Sequence, residues 1–188
     1  MIVAIAGGIG SGKSVVSSVL RLLNYPVYDC DSNAKRLMRE SSDLRSKLVE
    51  RFGADLYDNG NLDTRYLSSV AFSDDKALSD LNTLVHPVVK ADMLCWAKRC
   101  GGLVFVESAI PYSSGVSQLV DRLWRVTAPG EIRVKRVMAR NGLSREQVEQ
   151  RIAAQADEET PRDGEVNISN DGISPLIPQI IENLKLLK

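Results

Sequence analysis

The sequence predicts an α/β protein in which a five-stranded parallel sheet lies between two layers of helices. Three observations support this fold class. Short apolar runs rich in β-branched residues recur along the chain, segments with helical periodicity separate them, and a glycine-rich turn follows the first run. Strands that alternate with helices in this way are typical of parallel sheets covered by helices on both faces.

Five apolar runs are predicted as the strands of this sheet: residues 2–6, about 26–28, 103–106, 123–126 and 166–168. Open α/β sheets bind their ligands at the carboxyl ends of the strands. Polar residues follow each run at that position: the glycine-rich turn, Asp29 and Asp31, Glu107 and Ser108, Thr127, and Ser169 to Asp171. We therefore expect the functional site along this edge.

The turn after the first run has the spacing of a phosphate-binding P-loop, Gly7-Gly8-Ile9-Gly10-Ser11-Gly12-Lys13-Ser14. Its glycines let successive N–H groups point at an anion, and the helix predicted from Val15 onward directs its positive N-terminus to the same place. Lys13 is expected to reach the phosphates and to act in catalysis, and Ser14 to ligate Mg²⁺. A turn that binds nothing is the competing interpretation. The pattern predicts that a nucleotide is held by Gly8, Ile9, Gly10, Ser11, Gly12, Lys13, Ser14 and Val15.

Composition narrows the class of protein. The chain has 188 residues, of which 44% are hydrophobic, so it can bury one compact core. Lysine plus arginine equals aspartate plus glutamate at 24 each, which argues against a nucleic-acid partner. Three cysteines and one histidine suggest neither a disulfide framework nor a zinc site. No apolar run approaches the roughly 18 residues of a membrane span, so we expect a cytoplasmic protein without membrane contact, as a monomer or weak homo-oligomer.

Two longer segments interrupt the alternation of strands and helices. Residues 31 to about 100 separate the second and third runs, too many for one crossover helix, and predict a helical substrate-binding insert. Residues 131 to about 155 predict a helical hairpin broken at Asn141-Gly142, with a capping-box pattern that begins at Ser144. The remaining ranges, about 1–30, 101–130 and 156–188, would form the core of a single unit.

Asp31, just beyond the second run, has two interpretations that do not exclude each other. It can cap a helix that starts near Asn33, because a short carboxylate side chain accepts from the first free N–H groups of a helix. It can also accept the proton of an alcohol that attacks a phosphoryl group bound nearby.

Three segments, in this order along the chain, resemble the dephospho-CoA kinase family. They are the P-loop, Asp29-Cys30-Asp31-Ser32-Asn33-Ala34-Lys35, and Leu81-Asn82-Thr83-Leu84-Val85-His86-Pro87-Val88-Val89-Lys90. The family motifs are Asp-Ala-Asp-x-x-Ala-Arg and Leu-Asn-x-Leu-x-His-Pro-x-x-Arg, so this chain differs at Cys30, Lys35 and Lys90. Lysine keeps the positive charge of arginine but loses its bidentate geometry.

The resemblance implies a P-loop NTPase fold of three α/β/α layers, in which the insert binds substrate and the segment at about 131–155 is a helical lid. It implies Mg²⁺- and ATP-dependent phosphorylation of the ribose 3′-hydroxyl of dephospho-CoA, with Asp31 as general base. It also implies that Arg140 closes over the transferred phosphoryl group and that Asn170 lies near the adenine. The substrate-binding positions carried over are Asp31, Lys35, His86, Pro87 and Lys90.

Several interpretations stay open. Glu107 is a second metal candidate, acting through water, or it bonds only to backbone groups at the strand end. The basic helix that contains Arg140 could be a solvated face, and His86 could be a packed residue. Pro161 and Gly164 are expected to shorten the helix at 157–165. Another small-molecule or nucleoside monophosphate kinase is the alternative function, whereas a GTPase switch is disfavoured because no Asn-Lys-x-Asp segment is present.

Overall fold

The computed structural model describes residues 1–71 and 74–187. These residues form two compact units. The first unit contains Met1–Tyr28 and Cys100–Lys188, and the second contains Asp29–Arg99.

A five-stranded parallel sheet is the centre of the first unit. With strands numbered along the chain, it contains β1 (Ile2–Ala6), β2 (Val27–Asp29), β5 (Val104–Glu107), β6 (Arg122–Thr127) and β7 (Val166–Ser169). The spatial order is β2-β5-β1-β6-β7, so the strand that leads into the glycine-rich turn lies in the middle. The predicted three-layer α/β/α fold class is confirmed.

One face of the sheet is covered by α1 (Lys13–Leu22) and α9 (Leu176–Lys185). Because successive strand residues point to opposite faces, Val3 and Ile5 join this core, whereas the small side chains of Ala4 and Ala6 belong to the other face. Trp124 is fully buried against Phe105, with ring centroids 5.2 Å apart. This aromatic and aliphatic core fixes the sheet against α1 and therefore fixes the strand-to-helix turn between β1 and α1.

The chain after β6 forms α6 (Gly130–Asn141), α7 (Arg145–Ala153) and the short α8 (Ala156–Glu159). Gly142 ends α6 in the left-handed conformation with φ 65°, and its N–H donates to the Met138 carbonyl. The predicted capping box at Ser144 is confirmed, since Ser144 and Gln147 exchange side-chain to backbone hydrogen bonds. The short helix before Pro161 is also confirmed, because α8 has only 4 residues.

The second unit is mostly helical, with α2 (Cys30–Glu40), α3 (Ser42–Phe52), α4 (Thr64–Ala71) and α5 (Asp75–Cys100). A small hairpin, β3 (Tyr57–Asp58) and β4 (Asn61–Leu62), lies between α3 and α4. Asn59 and Gly60 have φ of 47° and 84°, which suits the tight turn that joins such strands. None of the helices in the described residues, α5 included, has the length and apolar character that a membrane crossing needs.

The residue that caps α2 differs from the sequence prediction. The helix begins at Cys30 rather than near Asn33, so Asp29 is the N-cap and Asp31 lies in the first turn. The Asp29 carboxylate accepts from the Ser32 N–H at 3.0 Å and from the Ser32 hydroxyl at 2.9 Å. The reason is that β2 continues directly into α2, so Asp29 is the last residue with extended backbone angles.

Candidate active site

The glycine-rich turn has the geometry of an anion cradle. Gly12 is the N-cap of α1 and adopts φ 99°, a left-handed conformation that favours glycine. A Cβ at this position would also overlap the Asn170 side-chain amide. The turn therefore needs glycine here for two independent reasons, and it delivers the free N-terminus of α1 to the carboxyl edge of the sheet.

Three carbonyls of the turn are held from outside. The Arg133 Nε donates to the Ile9 carbonyl at 2.8 Å, and the Asn170 Nδ2 donates to the Ser11 carbonyl at 2.9 Å. Arg136 adds longer contacts of 3.4 Å to the Gly10 and Ser11 carbonyls. The C=O and N–H of one peptide plane point in opposite directions, so the Gly10 and Gly12 N–H groups are directed away from these donors. This arrangement preorganises the turn for an anion.

Lys13 and Ser14 complete the donor set. The Lys13 ammonium lies across the turn and donates to the Gly7 carbonyl at 2.6 Å and to the Gly8 carbonyl at 3.3 Å. Ser14 is the second residue of α1, and its side chain is exposed. An ammonium, inward N–H groups and an accessible hydroxyl suit a triphosphate with Mg²⁺, because hard cations take oxygen ligands and phosphates take N–H donors.

Two of the residues predicted to bind ATP, Ile9 and Asn170, contact other parts of the protein. The Ile9 N–H donates to the Gln155 side-chain carbonyl at 2.9 Å, so this amide is already occupied by a protein acceptor. Asn170 follows β7, and its side chain is used to brace the turn: it donates to the Ser11 carbonyl and accepts from Arg136 at 3.3 Å. Val15 belongs to the first turn of α1 and is half exposed.

The basic residues of α6 do not contribute equally. Arg133 and Arg136 contact the turn, whereas Arg140 lies in the last turn of α6, is exposed, and donates from Nε to Asn141 at 2.9 Å. The spacing of 133, 136 and 140 puts the three on one helical face, so Arg140 follows the other two along α6. The sequence analysis assigned a role at the phosphates to Arg140 alone. The spacing of 133, 136 and 140 also indicates that Arg133 and Arg136 lie on the same helical face.

Glu107 is the last residue of β5, in register with Ile5 of β1, and is partly buried. It therefore lies on the strand next to the one that enters the turn. The following residue, Ser108, is buried and donates its N–H to the Ile5 carbonyl at 3.0 Å. These contacts fix the carboxyl end of β5 relative to β1, which keeps Glu107 at the edge where the turn begins.

The second unit carries the predicted acceptor residues on two helices. Asp31 and Lys35 are exposed and one turn apart on α2, which puts them on the same face. Arg36 joins α2 to α5, since its guanidinium contacts Asp92 at 2.6 Å.

His86 and Lys90 are one turn apart on α5. Burial lowers the pKa of His86, and the neighbouring Lys90 charge lowers the same pKa further. The imidazole is therefore neutral at about pH 7. Pro87 is exposed inside α5 and has no N–H, so it cannot complete the helical bond to Thr83 and weakens the helix at this point.

A buried ionic network in the first unit was not foreseen from the sequence. Arg125 of β6 donates to Glu165 with contacts of 2.5 and 2.6 Å, to the Glu158 carbonyl at 2.8 Å and to the Thr160 carbonyl at 3.2 Å. The Tyr112 hydroxyl also donates to Glu165. Both members of the ion pair are almost fully buried, with side-chain exposures of 4% and 8%. The network fastens the chain from α8 to β7 onto the sheet.

A family model, a related protein and a solved structure match nearly the whole of this chain. The dephospho-CoA kinase family model matches residues 1–175. The dephospho-CoA kinase of Porphyromonas gingivalis is 40% identical over 189 residues, which cover 99% of this chain and 94% of that protein. The crystal structure of a Thermus thermophilus protein is 33% identical with a TM-score of 0.81, covering 100% of this chain and 95% of that one.

A third comparison agrees in fold. The dephospho-CoA kinase of Campylobacter jejuni has a TM-score of 0.69 at 22% identity, and the match covers 99% of this chain and 94% of that one. The family model spans both units of the chain, including the turn after β1 and the motif at His86. This chain belongs to the dephospho-CoA kinase family.

Proposed function

We propose that this protein transfers the γ-phosphoryl group of ATP to the ribose 3′-hydroxyl of dephospho-CoA, which gives CoA and ADP. Family membership over residues 1–175 supports the reaction class. The observation that carries the proposal is the turn after β1, whose Ile9, Gly10 and Ser11 carbonyls are held from outside by Arg133, Arg136 and Asn170. A cradle built in this way suits the phosphates of a nucleotide.

The donor side of the reaction belongs to the first unit. ATP phosphates would be held by the N–H groups of the turn and by the N-terminus of α1. The Lys13 ammonium would exchange the Gly7 and Gly8 carbonyls for phosphate oxygens. Ser14 would ligate Mg²⁺ directly and Glu107 through water. When bound, Mg²⁺ neutralises charge on the phosphates.

Asp31 is the proposed general base. Its carboxylate would accept the proton of the 3′-hydroxyl while that oxygen forms a bond to the γ-phosphorus. The bond between the γ-phosphorus and the bridging oxygen breaks, and the electron pair leaves with ADP. The exposed position of Asp31 in the first turn of α2 supports this role, because the carboxylate is accessible and Asp29 already serves as the helix cap.

The acceptor would be bound by Lys35, His86, Pro87 and Lys90, as the family motifs imply. The two lysines suit the diphosphate of dephospho-CoA, and the neutral His86 imidazole can both donate and accept a hydrogen bond. In this proposal the second unit is the substrate-binding insert and the segment at about 131–155 is the lid. Arg140, one turn beyond Arg136 on α6, would stabilise charge on the transferred phosphoryl group.

The protein would act in the cytoplasm. Cys30, Cys95 and Cys100 form no disulfide in the described structure, and two of them are exposed. Cysteines outside disulfides are typical of reducing compartments.

A coupled ADP-release assay tests the proposed function. The purified protein is given MgATP with dephospho-CoA, AMP, CMP or shikimate in turn, and each reaction is repeated without Mg²⁺. We expect rapid ADP release only when both dephospho-CoA and Mg²⁺ are present. Faster release with another acceptor would favour a different small-molecule kinase, and release independent of any acceptor would favour a nucleotide hydrolase.

A further inference from the structure

We propose that Glu159 is a positioning residue for the phosphate-binding turn and acts through Arg133. This inference rests on the proposed use of ATP and adds a residue to that same site. It concerns the turn between β1 and α1 and the segment of chain that ends α8. Neither Arg133 nor Glu159 needs to touch the nucleotide for the proposal to hold.

The Arg133 guanidinium contacts two partners. Its terminal nitrogens contact the two Glu159 carboxylate oxygens at 2.5 Å each, and its Nε donates to the Ile9 carbonyl at 2.8 Å. The Arg133 side chain is 8% exposed and that of Glu159 is 25% exposed. A bidentate pair of this kind fixes the plane of the guanidinium, so the direction of Nε depends on Glu159. Without Glu159, nothing else described holds the two terminal nitrogens.

The turn itself is shaped to receive this ion pair. A Cβ built on Gly8 would overlap both the Glu159 carboxylate and an Arg133 terminal nitrogen. The backbone of Gly8 has no positive φ, so close approach rather than conformation explains glycine at this position. The ion pair is therefore packed directly against the turn at Gly8.

A second contact from the same segment supports the assignment. The Ile9 N–H donates to Gln155 at 2.9 Å, so both polar groups of Ile9 are held by side chains from residues 133–159. Glu159 is in turn anchored, because the Arg125 guanidinium donates to the carbonyl of the preceding residue, Glu158, at 2.8 Å. The phosphate-binding turn is thus clamped at one residue by a segment that is itself fastened to β6.

The consequence is a selective effect on nucleotide binding. If Glu159 aligns Arg133, and Arg133 directs the Ile9 carbonyl, then loss of the Glu159 charge frees the Ile9–Gly10 peptide to rotate. The Gly10 N–H, which shares that peptide plane, would no longer be preorganised for phosphate. Binding of dephospho-CoA, assigned to other residues, would not change.

The test is Glu159→Gln, with Glu131→Gln as the matched control. Glu131 also makes a bidentate contact to an arginine, Arg145, at 2.9 Å for both bonds, but this pair is exposed and does not contact the turn. We expect Glu159→Gln to raise the dissociation constant of a fluorescent ATP analogue and the KM for ATP about tenfold. The KM for dephospho-CoA should stay at the wild-type value, and Glu131→Gln should change none of these quantities.

Unchanged ATP binding in Glu159→Gln, or an equal rise in the KM for dephospho-CoA, would overturn the proposal. The direct binding measurement needs no acceptor, so it remains decisive even if the proposed kinase reaction fails.

Gly8→Ala provides a second test, because it disturbs the same contact by a steric clash instead of by loss of charge. Gly8→Ala should weaken ATP binding more in the wild-type protein than in a Glu159→Ala background, because the carboxylate that the new Cβ would overlap is absent from that background. An equal loss of ATP affinity in both backgrounds would contradict the packing argument.

Discussion

Replacing Arg125 by methionine should destabilise the first unit strongly, although Arg125 lies in no predicted binding motif. The substitution removes the cation that pairs with the Glu165 carboxylate, a side chain that is 8% exposed in the intact pair. It also removes the donors to the Glu158 and Thr160 carbonyls. Breaking a buried ion pair from one side costs about 3–5 kcal/mol, because the remaining charge is left desolvated and unpaired. We expect the free energy of unfolding to fall by about that amount.

The partner substitution shows whether the buried charge is the cause. Glu165→Gln should destabilise the wild-type protein, in which Arg125 would be left unpaired. In the Arg125→Met background the same change should be neutral or stabilising, because it removes the uncompensated carboxylate. Such a reversal of sign corresponds to a coupling free energy between the two residues, which a double-mutant cycle measures directly.

Urea denaturation followed by tryptophan fluorescence is a suitable assay. The chain has 2 tryptophans, and Trp124 is fully buried in the core of the first unit next to Arg125 in sequence. In a Trp96→Phe background the fluorescence reports on that unit alone. Arg145→Met is the matched control, since its pair with Glu131 is exposed and its loss should leave the unfolding midpoint nearly unchanged. A loss for Arg125→Met no larger than that for Arg145→Met would refute the reasoning.

Three further predictions address the proposed reaction and the second unit. Asp31→Asn should lower kcat on the order of 10²-fold or more while ATP binding, measured by fluorescence titration, stays unchanged; wild-type turnover would remove Asp31 as base. Arg140→Ala should lower kcat more than it raises either KM, and an effect on the KM for ATP alone would assign Arg140 to ground-state binding. The pKa of His86 lies below its ordinary 6.5, so the unfolded chain binds the proton more readily than the folded one, and the free energy of unfolding should fall as the pH decreases below 6.5. Urea unfolding midpoints measured below pH 6.5 should decrease with pH in the wild type and decrease less in His86→Gln.

Local sequence signals predicted much of the fold. The five strands lie within about a residue of the apolar runs, because each run is short, β-branched and bounded by polar or glycine residues. The capping box at Ser144 and the end of α8 before Pro161 were likewise predictable, since both depend on residues within one helical turn. The hairpin at 57–62 was not predicted as strands, because two residues are too few to show a period.

The features that sequence reasoning missed depend on long-range contacts. Asp29 and Asp31 are equally good caps by composition, and only the point where β2 ends selects Asp29. Arg125 is a single charged residue in an apolar run, and its partner Glu165 is 40 residues away along the chain. Arg133 and Glu159 are separated by 26 residues, and their contact with the turn depends on how α6 and α8 pack. Periodicity locates helices but does not give the residues that they bring together.

Phosphorus NMR of the reaction product tests the central claim most directly. The protein is incubated with MgATP and dephospho-CoA, and the new phosphorus signal is correlated with the ribose protons. The proposed function predicts one new phosphomonoester coupled to the proton on the 3′-carbon, formed in amounts equal to the ADP released. A phosphomonoester on a different hydroxyl, or ADP release without any new phosphomonoester, would contradict it.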